Sequence, residues 1–245
     1  MSVNAPPSPW WYRNRGLLIG AIYGCGFFFG YLQFGDAHAV PAAVAWGMRG
    51  GAWGVYSLFW AGVQLGLLGW LARYFGTAYL HGDVVFAADV QRDRLIVAGP
   101  FRYTRNPLYL GNDLLALGIG LYAPPLGFAI IALGNIVFGI MLAREENRQL
   151  LARYGAEYAA YCKAVPAFLP RLMPAKFAAG AAVTPSWRNA FRSESWALAF
   201  ALAPAPIALA GTRGTMASAI IWFGALGLFI AISHISRAKR SPMPR

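Results

Sequence analysis

Four stretches of the chain, residues 16–35, 50–72, 195–212 and 214–236, carry no charged side chain over 20, 23, 18 and 23 residues. Each comes close to the roughly 20 residues that take an α-helix across a bilayer core. A fifth apolar stretch, residues 106–143, runs for 38 residues with Asp113 as its single charge. Pro124-Pro125 interrupts it near the middle. Proline has no N–H to donate and collides with the preceding helical turn, so this stretch is predicted as two helices joined by a tight turn. The pattern predicts an all-α fold, a polytopic membrane helix bundle of about six transmembrane helices.

Composition supports that class. The 245 residues are 58% hydrophobic and 12% charged, whereas soluble domains carry about 25% charge. The net charge of +12 is unevenly placed. With the N-terminus on the cytoplasmic side, six crossings put 19 of the 21 Lys and Arg in cytoplasmic segments and leave Arg49 and Arg213 outside. That asymmetry obeys the positive-inside rule and requires an even number of crossings. It predicts an integral membrane protein with both termini cytoplasmic. The alanine- and glycine-rich composition suggests a bacterial inner membrane. Nucleic acid is not an expected partner, because the basic residues are dispersed over four segments.

Arg13 and Arg15 before an apolar stretch, with Ala37-His38-Ala39 after it, loosely imitate a signal peptide. The stretch exceeds the usual 7–15 residues of such a core, so a retained first helix is expected. Cys25 lies inside the first apolar stretch and Cys162 in a cytoplasmic segment, so neither a disulfide nor a metal cluster is expected. Gly16, Gly20 and Gly24, and Gly62 with Gly66, recur at four-residue spacing, which predicts close helix packing.

Candidate chemistry concentrates where the fifth apolar stretch begins. "GPFRYTRNPLYLG", residues 99–111, sets Arg102 and Arg105 immediately before Asn106-Pro107. The simplest reading makes Asn106 a helix cap, Pro107 a first-turn residue and the arginines headgroup anchors. After the hairpin comes "AREENRQLLARYGAEYAAYCKAVPAFLPRL", residues 143–172. Leu150, Leu151, Tyr154, Tyr158 and Tyr161 share one helical face there, Gly155 interrupts it, and Pro166 and Pro170 end it. Glu145 and Glu146 are either a solvated pair bonded to Arg148 or Gln149, or carboxylates facing a cationic or hydroxyl-rich ligand. Asp113, two turns inside the membrane, either pairs with an arginine or faces an acceptor. The hairpin topology brings residues 105–107 and 144–146 to the same cytoplasmic level.

The two blocks, in that order and with that hairpin between them, resemble the isoprenylcysteine carboxyl methyltransferase and phospholipid methyltransferase superfamily. Its pattern is roughly Leu-Val-x-x-Gly-Pro-Tyr-x-x-x-Arg-His-Pro-x-Tyr-x-Gly, then Glu-Glu, then an aromatic-Gly-x-x-Tyr-x-x-Tyr block and a proline. The resemblance covers residues 95–170. It implies an integral membrane methyltransferase that holds S-adenosylmethionine at the cytoplasmic face. Cofactor contacts are implied for Leu95, Ile96, Phe101, Asn106, Pro107, Leu108, Tyr109 and Glu146. Arg144 and Glu145 are the candidate catalytic pair, Arg144 or Arg102 being available to a carboxylate acceptor. The implied acceptor is a lipophilic or membrane-accessible amine, thiol or carboxylate arriving from the bilayer. The chain then divides into residues 1–94, with two helices and a loop; 95–172, the methyltransferase-like core; and 173–245, a linker with two helices.

Asn106 stands where the family has histidine, which removes any role for an imidazole base at that position. Residues 195–236 add two apolar stretches beyond the family's closing block. Two other functions are weighed. An NADPH-dependent membrane reductase of the sterol reductase type shares a related motif, against which Gly111-Asn112-Asp113 is shifted by one residue. A non-catalytic membrane transporter or assembly protein is favoured by the Asn106 change.

Overall fold

The computed structural model describes residues 8–32, 40–80, 95–176 and 183–238. The Ala37-His38-Ala39 motif and the basic residues after Arg237 that bear on orientation lie outside the described residues or their described side chains. Nine α-helices occur among the described residues: α1 (Trp10–Arg13), α2 (Arg15–Leu32), α3 (Ala42–Gly47), α4 (Gly51–Leu80), α5 (Pro107–Gly120), α6 (Pro125–Ala164), α7 (Trp187–Leu202), α8 (Ala205–Ala210) and α9 (Thr215–Ala238). Short 3-10 turns at Met48–Gly50, Gly99–Arg102 and Gly211–Gly214 complete them. The all-helical expectation holds.

Helix α4 is the central post, packed along α5 and α7, while α2 lies on α6 and α9 on α7. Among the described residues, three helical stretches are long and apolar enough to cross a membrane: Ala42–Leu80, Pro125–Ala164 and Trp187–Ala210. Arg15–Gly30 and Met216–Ile232 are shorter apolar helices. The 14 residues of α5 rise only about 21 Å at 1.5 Å per residue, less than the roughly 30 Å hydrocarbon core. Six full crossings therefore remain a reading of the charge pattern.

The break at Pro124-Pro125 is where α5 gives way to α6, as the prolines require. Protein covers the turn. Leu121, Tyr122 and Ala123 are buried, and the Tyr122 hydroxyl donates to the Phe59 carbonyl at 2.6 Å. The N–H groups of Ala42 and Ala43 donate to the Ala123 and Leu121 carbonyls at 2.7 and 3.0 Å. Backbone groups left open by a turn at membrane depth must find such partners, and α3 supplies them.

The glycine spacing was informative in α4 and, in α2, only at Gly16, where a Cβ would stand 3.3 Å from Phe229. A Cβ on Gly62 would strike Tyr122 and the Gly118 carbonyl, and one on Gly66 would press on Ala201. In α2, however, Gly20 and Gly24 have nothing within 4 Å, and the tight contacts belong to Gly26 and Gly30 against Ile131, Gly127 and Pro124 of the hairpin. Spacing identified a small-residue face without saying which side of the helix meets a neighbour.

Helix α6 runs on past its apolar half into the predicted amphipathic block. It kinks at Gly155, whose φ of 52° and ψ of −124° lie outside helical space. Leu150, Tyr158 and Tyr161 are buried as the periodicity expects, joined by Leu95, Val97, Val165 and Ala175. Leu151 is exposed instead. It lies one residue off the stripe on a helix with 3.6 residues per turn.

Candidate functional site

The site is built around the start of α5. Gly99 opens the preceding 3-10 turn at φ +56°, and a Cβ there would fall 2.4 Å from the Tyr79 ring, so both conformation and space demand glycine. The turn brings Phe101 into a buried cluster with Ile96 and Leu80, against which Tyr79 and Leu108 pack. Gly111, about one turn past Pro107, lies against Gly69 of α4, and a Cβ there would stand 2.6 Å from both the Gly69 carbonyl and Arg73 Cγ. That close approach brings α4 and α5 together beneath the polar motif.

Asn106 holds the N-cap position, and its carbonyl accepts the first helical hydrogen bond from Leu110 at 3.0 Å. Its side chain does not cap the helix. The buried amide instead donates through Nδ2 to the Ala167 carbonyl at 2.9 Å, which also accepts from Thr104 Oγ1 at 3.0 Å. The simple capping role is thus corrected for the side chain: Asn106 clamps the closing segment after α6. The first-turn N–H groups of α5 receive no side-chain cap.

Tyr109, on the next turn, hydrogen-bonds through its hydroxyl to Glu146. That contact joins the polar motif to the second glutamate through Tyr109. Arg105 reaches Cys162 through Nη1, Tyr158 also hydrogen-bonds Cys162, and the Tyr158 hydroxyl donates to Asn147 Oδ1.

The two glutamates face different surroundings. Glu145 is buried and accepts from Arg148 Nε and Nη2 at 2.9 and 2.6 Å and from Gln149 Nε2 at 2.6 Å. Both local partners weighed from the sequence are engaged. The Arg148 hydrogen bonds, aided by Gln149, hold the Glu145 carboxyl below its ordinary value against the opposing effect of burial. Arg144 is exposed. Glu146 faces Tyr109, and Tyr109 also has Tyr12 and Arg15 of the N-terminal helices nearby.

Leu95, Ile96, Phe101 and Tyr109, apolar or aromatic members of the implied cofactor contacts, fall in three clusters. Ile96 and Phe101 pack together, Leu95 joins the cluster around Tyr158 and Tyr161, and Tyr109 packs near Phe138 and Leu142. Pro107 lies on the rim of an open groove of about 510 Å³ together with Phe75, Tyr79, Tyr103, Leu110 and Trp187.

One constellation escaped the sequence reading. Arg73 of α4 is buried and donates through Nε and Nη2 to Glu194 of α7 at 2.7 and 3.0 Å. Its Nη1 donates to Asn112 Oδ1 at 2.8 Å, and Thr77 Oγ1 donates to Glu194 at 2.7 Å. Its guanidinium carbon also lies 4.9 Å from the Trp196 ring centre. The available signal was two opposite charges at the edges of uncharged stretches, each continuing into a helix. Asp113, one residue beyond Asn112, is not paired with this arginine, and its buried Oδ1 has no hydrogen-bond partner.

Comparison with known proteins follows the same core. A family model described as phospholipid methyltransferase matches residues 44–157. The cobalt-zinc-cadmium resistance protein CzcN of Cupriavidus metallidurans is 31% identical over 114 residues, which cover 46% of this chain and 52% of that protein. The alignment thus spans about half of that relative's length. The nickel-cobalt-cadmium resistance protein NccN of Alcaligenes xylosoxydans xylosoxydans is 25% identical over 183 residues, covering 74% of this chain and 73% of that protein. No solved structure matches the chain. The matched segment contains α4, the polar motif, the hairpin and both glutamates, and over that segment the chain is similar to the phospholipid methyltransferase family.

Proposed function

We propose that the protein is an S-adenosylmethionine-dependent methyltransferase of the membrane, acting on a lipophilic or membrane-accessible amine, thiol or carboxylate. The observation that carries this reading is the corner formed by the start of α5 and Glu146. The Asn106 side chain turns away to Ala167, so the positive end of α5 has no side-chain cap. Glu146 stands one turn away through its bond to Tyr109. A helix N-terminus suits a carboxylate and a glutamate suits an ammonium, so the corner matches the two charged groups on the amino-acid part of S-adenosylmethionine.

When bound, that cofactor supplies a sulfonium-activated methyl group. The chain's own residues have the simpler work of binding, alignment and exclusion of water. Asn106 and Thr104 hold the closing segment against the motif through Ala167. Ile96, Phe101 and Leu108 form an apolar wall beside it. The open groove along Phe75, Tyr103 and Leu110 suits the apolar part of an acceptor. Asp113 is our candidate for facing the acceptor's polar group, since Arg73 is committed to Glu194 and Asn112. Exposed Arg144 remains the cation available to a carboxylate acceptor, whereas the hydrogen-bonded Glu145 is better placed to brace α6. The positive-inside distribution supports a cytoplasmic location for this corner, and the alanine- and glycine-rich composition supports a bacterial inner membrane.

A second reading rests on the two relatives, both named for metal resistance. In it the chain serves metal resistance as a non-catalytic transporter or assembly protein on the same fold, and Asn106 in place of the family histidine suits that role. Equilibrium binding of S-adenosylmethionine and of NADPH to detergent-purified protein separates the readings. Saturable binding of S-adenosylmethionine alone is expected. Binding of NADPH alone would overturn the methyltransferase in favour of the reductase, and binding of neither would favour the non-catalytic protein.

A further inference from the structure

The segment that closes the site, residues 165–176, has no helix or strand, yet it is strapped along the polar motif. Arg105 N–H donates to the Pro166 carbonyl at 2.9 Å, Arg171 N–H to Tyr103 at 3.0 Å, and Ala175 N–H to Arg102 at 2.9 Å. Arg102 Nε returns a bond to the Ala175 carbonyl at 2.9 Å. Val165 and Ala175 face inward, buried beside Leu95 and Tyr161.

The outward side is different in kind. Leu169 is 82% exposed, Leu172 100% and Met173 76%. Arg171 and Lys176 are exposed among them, and the segment contains no acidic residue. Exposing a large aliphatic side chain to water forgoes the free energy that its burial would return. Three such side chains interleaved with two cations match a leaflet, with acyl chains for the apolar tips and phosphates for the charges. The surroundings agree. Pro170 borders the same groove as Tyr103 and Trp187, aromatic types that favour the membrane–water boundary. The strap also lies where the apolar stretch of α5 begins.

We propose that the closing segment is an interfacial anchor whose partner is the anionic phospholipid leaflet. Leu169, Leu172 and Met173 enter the acyl boundary, and Arg171 and Lys176 lie among phosphates. Because each strap bond ends on residues 102–106, the leaflet's charge bears directly on the order of the site. An anionic bilayer holds the strap down, and a neutral one leaves it looser.

The test places an environment-sensitive fluorophore on Leu172→Cys, in a background carrying Cys25→Ala and Cys162→Ser. The protein is reconstituted in nanodiscs of phosphatidylcholine alone or with phosphatidylglycerol. A blue shift is expected in phosphatidylglycerol discs relative to neutral discs and detergent. Arg171→Gln and Lys176→Gln should each lower the insertion equilibrium about five-fold, the factor corresponding to ~1 kcal/mol per basic residue at an anionic surface. Tryptic cleavage after Arg171 in the unlabelled, unsubstituted protein gives a second readout and should slow in the anionic discs. A fluorophore as wet in anionic discs as in detergent, with unchanged cleavage, would overturn the proposal. So would a blue shift in detergent that grows with protein concentration, since that would assign this face to a second copy of the chain.

Discussion

Two polar places interrupt the apolar bundle, and they are built in opposite ways. In the Arg73–Glu194 network every charged group is answered: two guanidinium–carboxylate bonds, Asn112 on the third arm, Thr77 on the carboxylate and an indole beside the cation. One residue further along α5, Asp113 presents a buried oxygen without a hydrogen-bond partner. Across from it stands Gly139, where a Cβ would rest 3.5 Å from that carboxylate. A buried pair with all its hydrogen bonds made joins helices without asking for anything further. A lone carboxylate at membrane depth costs free energy that the fold itself does not recover, the usual mark of a functional position. The contrast marks the first place as architecture and supports the proposed role of Asp113 toward an acceptor.

The strongest way to break that contrast is Glu194→Ala. It leaves Arg73 buried with no counter-charge and should destabilise the fold by about 3–5 kcal/mol, seen as lost folded yield or a lower unfolding temperature in detergent. Arg73→Met combined with Glu194→Met should recover much of that loss, since an apolar pair also satisfies the interface. A silent Glu194→Ala would end the architectural reading.

Asn106→Asp comes next. It removes the Nδ2 donor and sets a carboxylate against the Ala167 carbonyl, an expected cost of about 1–3 kcal/mol, together with weaker S-adenosylmethionine binding. Asn106→His keeps a donor and should preserve both properties. Equal unfolding temperatures for the two variants would show that the clamp contributes nothing.

Glu146→Gln sharpens the contrast at the site. The amide oxygen can still accept from Tyr109, so unfolding should barely change, while S-adenosylmethionine affinity falls by roughly 1–3 kcal/mol through loss of a bond to charge. Unchanged affinity would return Glu146 to a purely structural part.

Asp113→Asn should separate stability from function. Removing an unmatched charge should leave the unfolding temperature equal or slightly higher, by about 1 kcal/mol at most, while methyl transfer slows. A lower unfolding temperature with normal transfer would move Asp113 into the architectural class.

The smallest effect concerns Glu145. Its folded-state pKa lies below the ordinary 4.5 because of Arg148, so its contribution is present above that value and fades as pH falls through the lower folded value. Arg148 is 44% exposed, and solvent screening limits the pair to about 0.5 kcal/mol. Glu145→Gln should flatten the acid-side stability slope slightly, measurable by unfolding across that range.

Much of this was legible before the fold. The prolines at 124–125 fixed the hairpin, Gly155 marked the kink, and Glu145 found the partners its i+3 and i+4 neighbours offered. Asn106 was legible as a position but not as a contact. A cap is a local event, whereas its actual partner, Ala167, lies 61 residues away. Arg73 was counted only among the cytoplasmic cations and Glu194 drew no reading, because each was judged against its own stretch of chain.

The sequence by itself determined the class of solvent, the helical breaks and the family motif, because charge-free length, proline geometry and residue order are properties of the chain alone. Only the tertiary structure decided which faces met: Gly26 rather than Gly20 at the hairpin, Leu151 out and Leu150 in, Arg73 with Glu194 and not Asp113. In an apolar bundle nearly every face is equally greasy. Hydrophobicity therefore cannot select partners, and the choice passes to small-residue fit and to the few polar groups that must be satisfied.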